Sequence, residues 1–332
     1  MYAGAPYGTL PFGATPPFIA APPVGAPAPA WGIYGTSPHG TSAYGTAPPD
    51  VPVAIPPAEG ALFLSSIDID QAQIAGSSEV SSLPVTFVQD SRVEKKWRLT
   101  SKVDQYLSIA LARPCACDTV AVIGANLGAG AVFRILGALD PAGLPNTPDF
   151  DSGWLGAWPV SGKPILKEPW PVHTNLVRFP NVNAYGYWRI IFCDPGVETS
   201  YMEFGRVLIG KAFRPRLNVD INPAIGLESS DVRRRSTFNR TFTDPRGAPS
   251  RRMALSLSDV DQDDMRAELF ELQRYCGLAR DFVFSLDPAA TTFHHLYTMQ
   301  SLFVEGAQFE AIPFWDGSRQ LWRTSLQLTE PL

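Results

Sequence analysis

Short runs in which apolar and polar residues alternate follow one another from Leu62 onward. Tyr106-Leu-Ser-Ile-Ala-Leu-Ala112 sets Tyr106, Ser108, Ala110 and Ala112 against Leu107, Ile109 and Leu111, the period of two that a half-buried strand requires. Leu62–Leu64, Val85–Val88, Thr119–Gly124, Ala131–Leu136, Leu176–Phe179 and Tyr187–Phe192 predict further strands between Gly- and Pro-rich turns. The stretch from Tyr201 to Pro215 carries few charges on either side, so one long strand covered on both faces is expected, ending where Pro215 cannot donate to a ladder. With no helical spacing over 61–212, this region reads as an all-β sandwich.

Residues 213–332 form a second domain with a different pattern. Met253–Asp259 alternates, and then Met265, Leu269, Leu272 and Cys276 fall on one helical face. Asp261, Asp263 and Asp264 crowd the start of this helix, about 261–276, and Gly277 closes it, as the helix dipole and the left-handed cap favour. Strands near Phe282–Leu286, Leu296–Val304, Phe309–Ile312 and Leu321–Leu328 complete an antiparallel sheet with one helix packed on it.

Residues 1–60 are unlike either domain. They hold 14 of the 32 prolines and 9 of the 27 glycines, with Asp50 and Glu59 their only charges. Tyr7-Gly-Thr, Tyr34-Gly-Thr and Tyr44-Gly-Thr repeat a unit, and Trp31 adds a further aromatic. Proline excludes a helix here, and the segment is too poor in apolar residues for a core. An extended arm that lies on a neighbouring subunit is expected, with Tyr7, Trp31, Tyr34 and Tyr44 as contact residues; in polyproline form it would reach up to about 180 Å.

Charge changes this picture in one place. The chain's net charge is −5, from 27 basic and 32 acidic residues, which does not describe a general polyanion binder. Yet Arg233, Arg234, Arg235, Arg240, Arg246, Arg251 and Arg252 face only Asp244 within twenty residues. Little aromatic interleaving accompanies them, so a protein–protein or intramolecular contact is expected rather than nucleic acid, with Arg233, Arg234, Arg235, Arg251 and Arg252 as candidate subunit-contact residues. No apolar run is long enough to span a membrane, and no basic residue precedes an apolar core at the N-terminus, so neither a span nor a secretory signal is expected.

Reactive chemistry is sparse. Cys115, Cys117, Cys193 and Cys276 form no CxxC pair and read as reduced, mostly buried thiols. His39, His173, His294 and His295 are few for a metal site, and Asp259-x-Asp261-x-Asp263 fails the calcium-loop pattern, with Asp264 at position six and Phe270 at position twelve. No nucleophile elbow, P-loop or zinc-protease motif occurs. No catalytic residue, metal or cofactor is expected. The insertion from Asp140 to Thr174 carries Trp154, Trp158 and Trp170, which could stack on sugar rings or pack the loop onto the sandwich or onto a partner.

Tyr106–Ala112, then Asp118-Thr-Val-Ala-Val-Ile-Gly-Ala-Asn126, then Tyr187-Trp-Arg-Ile-Ile191 and Glu203-Phe-Gly-Arg-Val-Leu-Ile-Gly210, together resemble the galactose-binding-like jelly roll of discoidin domains. That resemblance implies loops at one end that bind glycans, lipids or proteins. The order of the whole chain, through Phe213-Arg-Pro215 to the strand–helix–strand domain, is similar to distal-tail and tail-tip proteins of tailed bacteriophages. This second resemblance implies a structural subunit of the virion tail, made in the host cytoplasm and assembled as a symmetric homo-oligomer with other tail proteins. The alternative is a carbohydrate-binding adhesin that reads a host-surface glycan through Trp154, Trp158 and Trp170.

Overall fold

The structure is a computed structural model that describes residues 60–144, 146–158, 172–181, 183–216, 219–220, 223–229, 231–235, 241–244, 249–290, 294–312 and 320–331. The proposed arm, with Tyr7, Trp31, Tyr34 and Tyr44, lies outside the described residues, as does Trp170.

In chain order the elements begin with β1 (Leu62–Ser65), α1 (Ile67–Asp70), β2 (Gln73–Gly76), a 3-10 turn (Val85–Gln89) and β3 (Trp97–Arg98). The sandwich continues through β4 (Gln105–Cys115), β5 (Thr119–Ile123), β6 (Val132–Ala138), β7 (Phe150–Gly156), β8 (Thr174–Arg178), β9 (Tyr185–Cys193), β10 (Glu203–Phe204) and β11 (Arg206–Gly210). Beyond it come β12 (Ala224–Glu228), the hairpin β13 (Val232–Arg235) and β14 (Thr241–Asp244), and β15 (Ser250–Asp261). A helical segment follows, made of α2 (Gln262–Asp264), a π-helical turn (Met265–Leu269) and α3 (Phe270–Cys276). The described chain ends with β16 (Phe282–Ser285), α4 (His294–Tyr297), β17 (Thr298–Phe303), β18 (Phe309–Ile312) and β19 (Leu321–Thr329).

The fold class is the expected one in its architecture: mainly β, with a β-sandwich and a further antiparallel sheet on which one helix packs. The sandwich sets a five-stranded sheet, β2-β4-β9-β6-β7, against a three-stranded sheet, β11-β5-β8. Trp97, Trp188, Phe133, Phe192 and Phe204 fill the space between them without exposure. The other large sheet runs β1-β16-β17-β19-β15-β12, with β18 paired to β19.

Leu62–Leu64 does not open the sandwich, as the sequence suggests, but is an edge strand of this last sheet, antiparallel to β16. The reason lies in its two apolar faces. Leu62 and Leu64, with Val283 of β16, enter the sandwich core; Phe63, Phe282 and Phe284 enter the core under the helix. A strand that is apolar on both faces needs two covers, and this position supplies them. The same stacking explains β5 and β11, each buried at every position.

Two other expected strands differ. Val85–Val88 forms a 3-10 turn after Pro84, because Val85 and Val88, three apart, are the pair that reaches the core. The single strand expected over 201–215 is broken at Gly205, where β10 leaves for β3 and β11 pairs with β5. A Cβ at Gly205 would lie 2.7 Å from the Val93 carbonyl oxygen and 2.9 Å from that of Ile123. The helix holds its expected bounds: Asp261 caps it by accepting from the Asp263 N–H, and Gly277, at φ 52°, closes it.

Candidate functional site

The three tryptophans offered by the sequence do not form one platform among the described residues. Trp158 is only 9 % exposed, belongs to the sandwich core and meets His173 edge to face at 5.9 Å. Its indole N–H is buried with no hydrogen-bond partner among the described residues. It is therefore a packing residue and not an exposed sugar platform. Trp154 is different. It sits on β7, which the sequence reading left inside a loop, and it is half-buried.

β7 carries Leu155 into the core, so its neighbour Trp154 projects from the opposite face of the five-stranded sheet. There the register makes a row across four strands: Tyr106 of β4 lies opposite Ile191 of β9, Ile191 opposite Arg134 of β6, and Arg134 opposite Trp154. Three inter-strand steps separate the ends of this row, about 14 Å. Behind it, Ser108, Arg189 and Leu136 form the next row. Leu144, from the loop after β6, covers Leu136 and Ala138 together with Tyr187 and Ile191, which closes one part of the face and leaves Tyr106, Arg134, Trp154 and Arg189 partly exposed.

The two arginines here are held differently. Arg134 makes a two-pronged ion pair with Asp151, its Nε 2.9 Å from Oδ1. Burial pushes the Asp151 carboxyl up, but the Arg134 fork and the Gly153 N–H outweigh it and hold its pKa below the ordinary value. Arg189 instead stacks over the Tyr106 ring, 4.3 Å from its centroid, and its Nε donates to Ser108 Oγ at 3.1 Å. Its two Nη nitrogens make no hydrogen bond or ion pair with any described residue.

Two rival places are less open. At one end of the sandwich Asn126 ties two loops together, accepting from Glu203 N at 2.7 Å and donating to Thr199 Oγ1 at 2.9 Å, while Arg98 pairs with Glu203 and lies over Tyr201. A cleft of about 630 Å³ on β15 and β19 is lined by Asp220, Ser258, Glu305, Gln308, Glu310 and Arg323. There Asp220 accepts from Ser258 Oγ at 2.7 Å, and Arg323 donates to Glu310 at 2.6 Å. In both places these polar groups already bond to one another.

The basic stretch divides. Arg233, Arg234 and Arg235 lie on β13, in register with Thr243, Phe242 and Thr241. Arg252 is partly exposed and 3.5 Å from Glu228. Arg251 makes the intramolecular contact and not the subunit contact, being 1 % exposed and paired inside the chain with Glu330, while it donates to the carbonyls of His295 and Thr298. The expected thiols are unpaired: Cys117, Cys193 and Cys276 are buried and Cys115 is half-buried. His294 and His295 sit on the short α4. Among the described residues no three His, Cys, Asp or Glu side chains group as a metal site, and no helix is long and apolar enough to cross a membrane.

Tyr106, Arg134 and Arg189 were not among the candidate residues that the sequence offered. The signal was in the alternation, since Arg189 falls between the core residues Trp188 and Ile190, and Tyr106 opposite Leu107.

No family model matches the chain, and no curated protein does. Solved structures similar to it include a CBM32 module from a family 31 glycoside hydrolase of Clostridium perfringens, at 16% identity over 45% of this chain and 94% of that one, with a TM-score of 0.33. Another is the family 32 module of Clostridium perfringens NanJ in complex with galactose, at 12% identity over 46% and 99%, TM-score 0.30. The lectin domain of lectinolysin complexed with Lewis B antigen matches at 12% identity over 43% and 96%, TM-score 0.30. Each covers less than half of this chain, and at these scores the likeness carries nothing about what this chain binds.

Proposed function

We propose that this chain is a non-catalytic carbohydrate-binding module that takes its ligand on the outer face of the five-stranded sheet. The supporting observation is the row Tyr106–Ile191–Arg134–Trp154, which sets an aromatic side chain at each end of a partly exposed strip. The C–H face of a pyranose suits an aromatic face, and polar groups between two such rings fix the orientation of linked sugars. The test is binding of the full chain to an array of immobilised glycans, repeated with Trp154→Ala and Trp158→Phe. Binding that falls with the first and survives the second supports the reading. Absence of binding, or loss with neither variant, overturns it.

A second reading is a structural subunit of a bacteriophage virion tail that assembles with itself and with other tail proteins. One observation favours it: β12 is exposed at all five positions, with Ile225 at 41 % and Leu227 at 61 %. An exposed apolar edge strand is a template for pairing with another chain. Light scattering of the full chain and of Leu227→Lys tests it. A symmetric oligomer that the substitution disperses supports this reading, and a monomer at every concentration removes it.

A further inference from the structure

We infer that the glycan recognised on this face is acidic, its uronate carboxylate held by Arg189 beside Tyr106. The inference rests on the carbohydrate reading above and specifies the ligand. Of the two arginines on the face, Arg134 already has a carboxylate, Asp151, in its fork. Arg189 has none within ion-pairing distance among the described residues. Its guanidinium is nevertheless held in place, by the Tyr106 ring below and by Ser108 Oγ at Nε. That leaves the two Nη groups as a fixed, unspent fork. A planar fork of two parallel N–H donors matches a carboxylate, and its strength and direction exceed what a neutral hydroxyl can return. Because stacking and the Ser108 bond fix the fork before binding, little side-chain entropy is lost when the anion arrives.

The register also places this cation inside the strip. Arg189 lies opposite Ser108, two residues along the strand from the Tyr106 row, so a sugar stacked on or beside Tyr106 brings a C5 carboxylate over the Nη edge. Arg134, neutralised by Asp151, serves as a wall of the strip, so the charge requirement is one anion at one end. A neutral glycan would leave the Arg189 fork facing water, and a polyuronate would fill it.

The experiment is affinity electrophoresis of the full chain in gels that contain polygalacturonate, alginate or hyaluronate, with fully methyl-esterified polygalacturonate and dextran as neutral controls. The expected result is retardation by at least one of the three uronate-containing polymers. It should weaken by about tenfold or more against the ester and with Arg189→Gln, since a charge-assisted bond is lost in each case. Arg189→Lys should keep part of the retardation, because the charge remains without the fork. Circular dichroism checks that each variant is folded, and the ester control needs no variant at all. Equal retardation by the ester or by dextran overturns the acidic preference and leaves the carbohydrate reading standing. No retardation in any gel overturns both, and undiminished retardation of a folded Arg189→Gln moves the site elsewhere and overturns the inference.

Discussion

Arg206 of β11 and Asp281, just before β16, form a two-pronged ion pair in which both residues are 1 % exposed, with Nε 3.1 Å from Oδ2 and Nη2 2.9 Å from Oδ1. Asp70 joins at 2.7 Å, Gln300 donates to Asp281 Oδ2 at 2.7 Å, and Arg206 also donates to the Val88 carbonyl. Burial works against the Arg206 charge, but Asp281 and Asp70 outweigh it and raise its pKa above the ordinary value. The network spans the sandwich and the C-terminal sheet. Asp281→Ala leaves the buried guanidinium with Asp70 as its carboxylate and takes the acceptor from Gln300, and a loss of about 3 kcal/mol in urea-unfolding free energy is expected. Arg206→Met with Asp281→Leu removes both charges and should cost clearly less than the single change. If the double variant is the worse of the two, the pair stabilises by more than its mutual neutralisation.

Gly205 is the hinge between β10 and β11, and both atoms that crowd it belong to the backbone, the carbonyl oxygens of Val93 and Ile123. Neither can rotate away. Gly205→Ala is expected to destabilise by about 1–3 kcal/mol, the range for overpacking a filled interior. Gly130, where an added Cβ would meet nothing beyond its chain neighbours within 4 Å, is the matched control, and Gly130→Ala should leave the melting temperature nearly unchanged. Equal effects at the two positions would contradict the crowding account.

Much of this architecture was legible because the apolar pattern of a strand reports how many of its faces are covered. The stretch around Val207 and Ile209 is apolar on both sides, and β11 is covered on both sides. What the pattern does not carry is the identity of the cover. Leu62-Phe63-Leu64 reads the same whichever sheet it joins, so its pairing with β16 was invisible. Four residues are too few to tell a strand from a 3-10 turn, hence the difference at Val85–Val88. The site was hidden for a further reason. The register shift between Arg134 and Leu136 and the left-handed Gly153, at φ 65°, interrupt the alternation of β7, so Trp154 and Trp158 looked alike in a loop. One is on the open face and the other is in the core.

Glu330 is the carboxylate partner of the buried Arg251, with Nε 2.9 Å from Oε2. Residues near the end of a folded segment are usually tolerant of change. This one should not be. Glu330→Ala takes the carboxylate from a buried cation that also donates to the Thr298 and His295 carbonyls, and a loss of about 3–5 kcal/mol is expected in chemical denaturation. Arg252→Ala, at a partly exposed position one residue along from Arg251, should change stability by less than about 1 kcal/mol. Denaturation midpoints of the two variants measured side by side decide it, and a Glu330→Ala midpoint at the level of the wild type would show that Arg251 finds another partner.

His294 supplies a pH dependence. It is buried between Thr174 of the sandwich and Thr298 of the C-terminal sheet, with Nε2 3.2 Å from the Thr174 carbonyl oxygen. A carbonyl can only accept, so the neutral ring carries its proton on Nε2. Burial lowers its pKa to about 4, with the charges of His295 and Arg251 adding to the effect and the Thr174 carbonyl and Asp287 opposing it. In the unfolded chain the ring titrates near 6.5. Above that value neither state binds the proton, and the full stability is present. Between about 6.5 and 4 the unfolded chain is protonated while the folded one is not, so stability falls as pH is lowered through this window and levels off, for this group, below about 4. The drop attributable to His294 is about 3 kcal/mol. Urea unfolding at pH 7.5, 5.5 and 4.5 measures it, with His294→Gln as the comparison, since the amide can still donate to Thr174 and does not titrate. The wild type should lose more stability than the variant across that range, and parallel curves would mean that the folded ring accepts its proton as readily as the unfolded one.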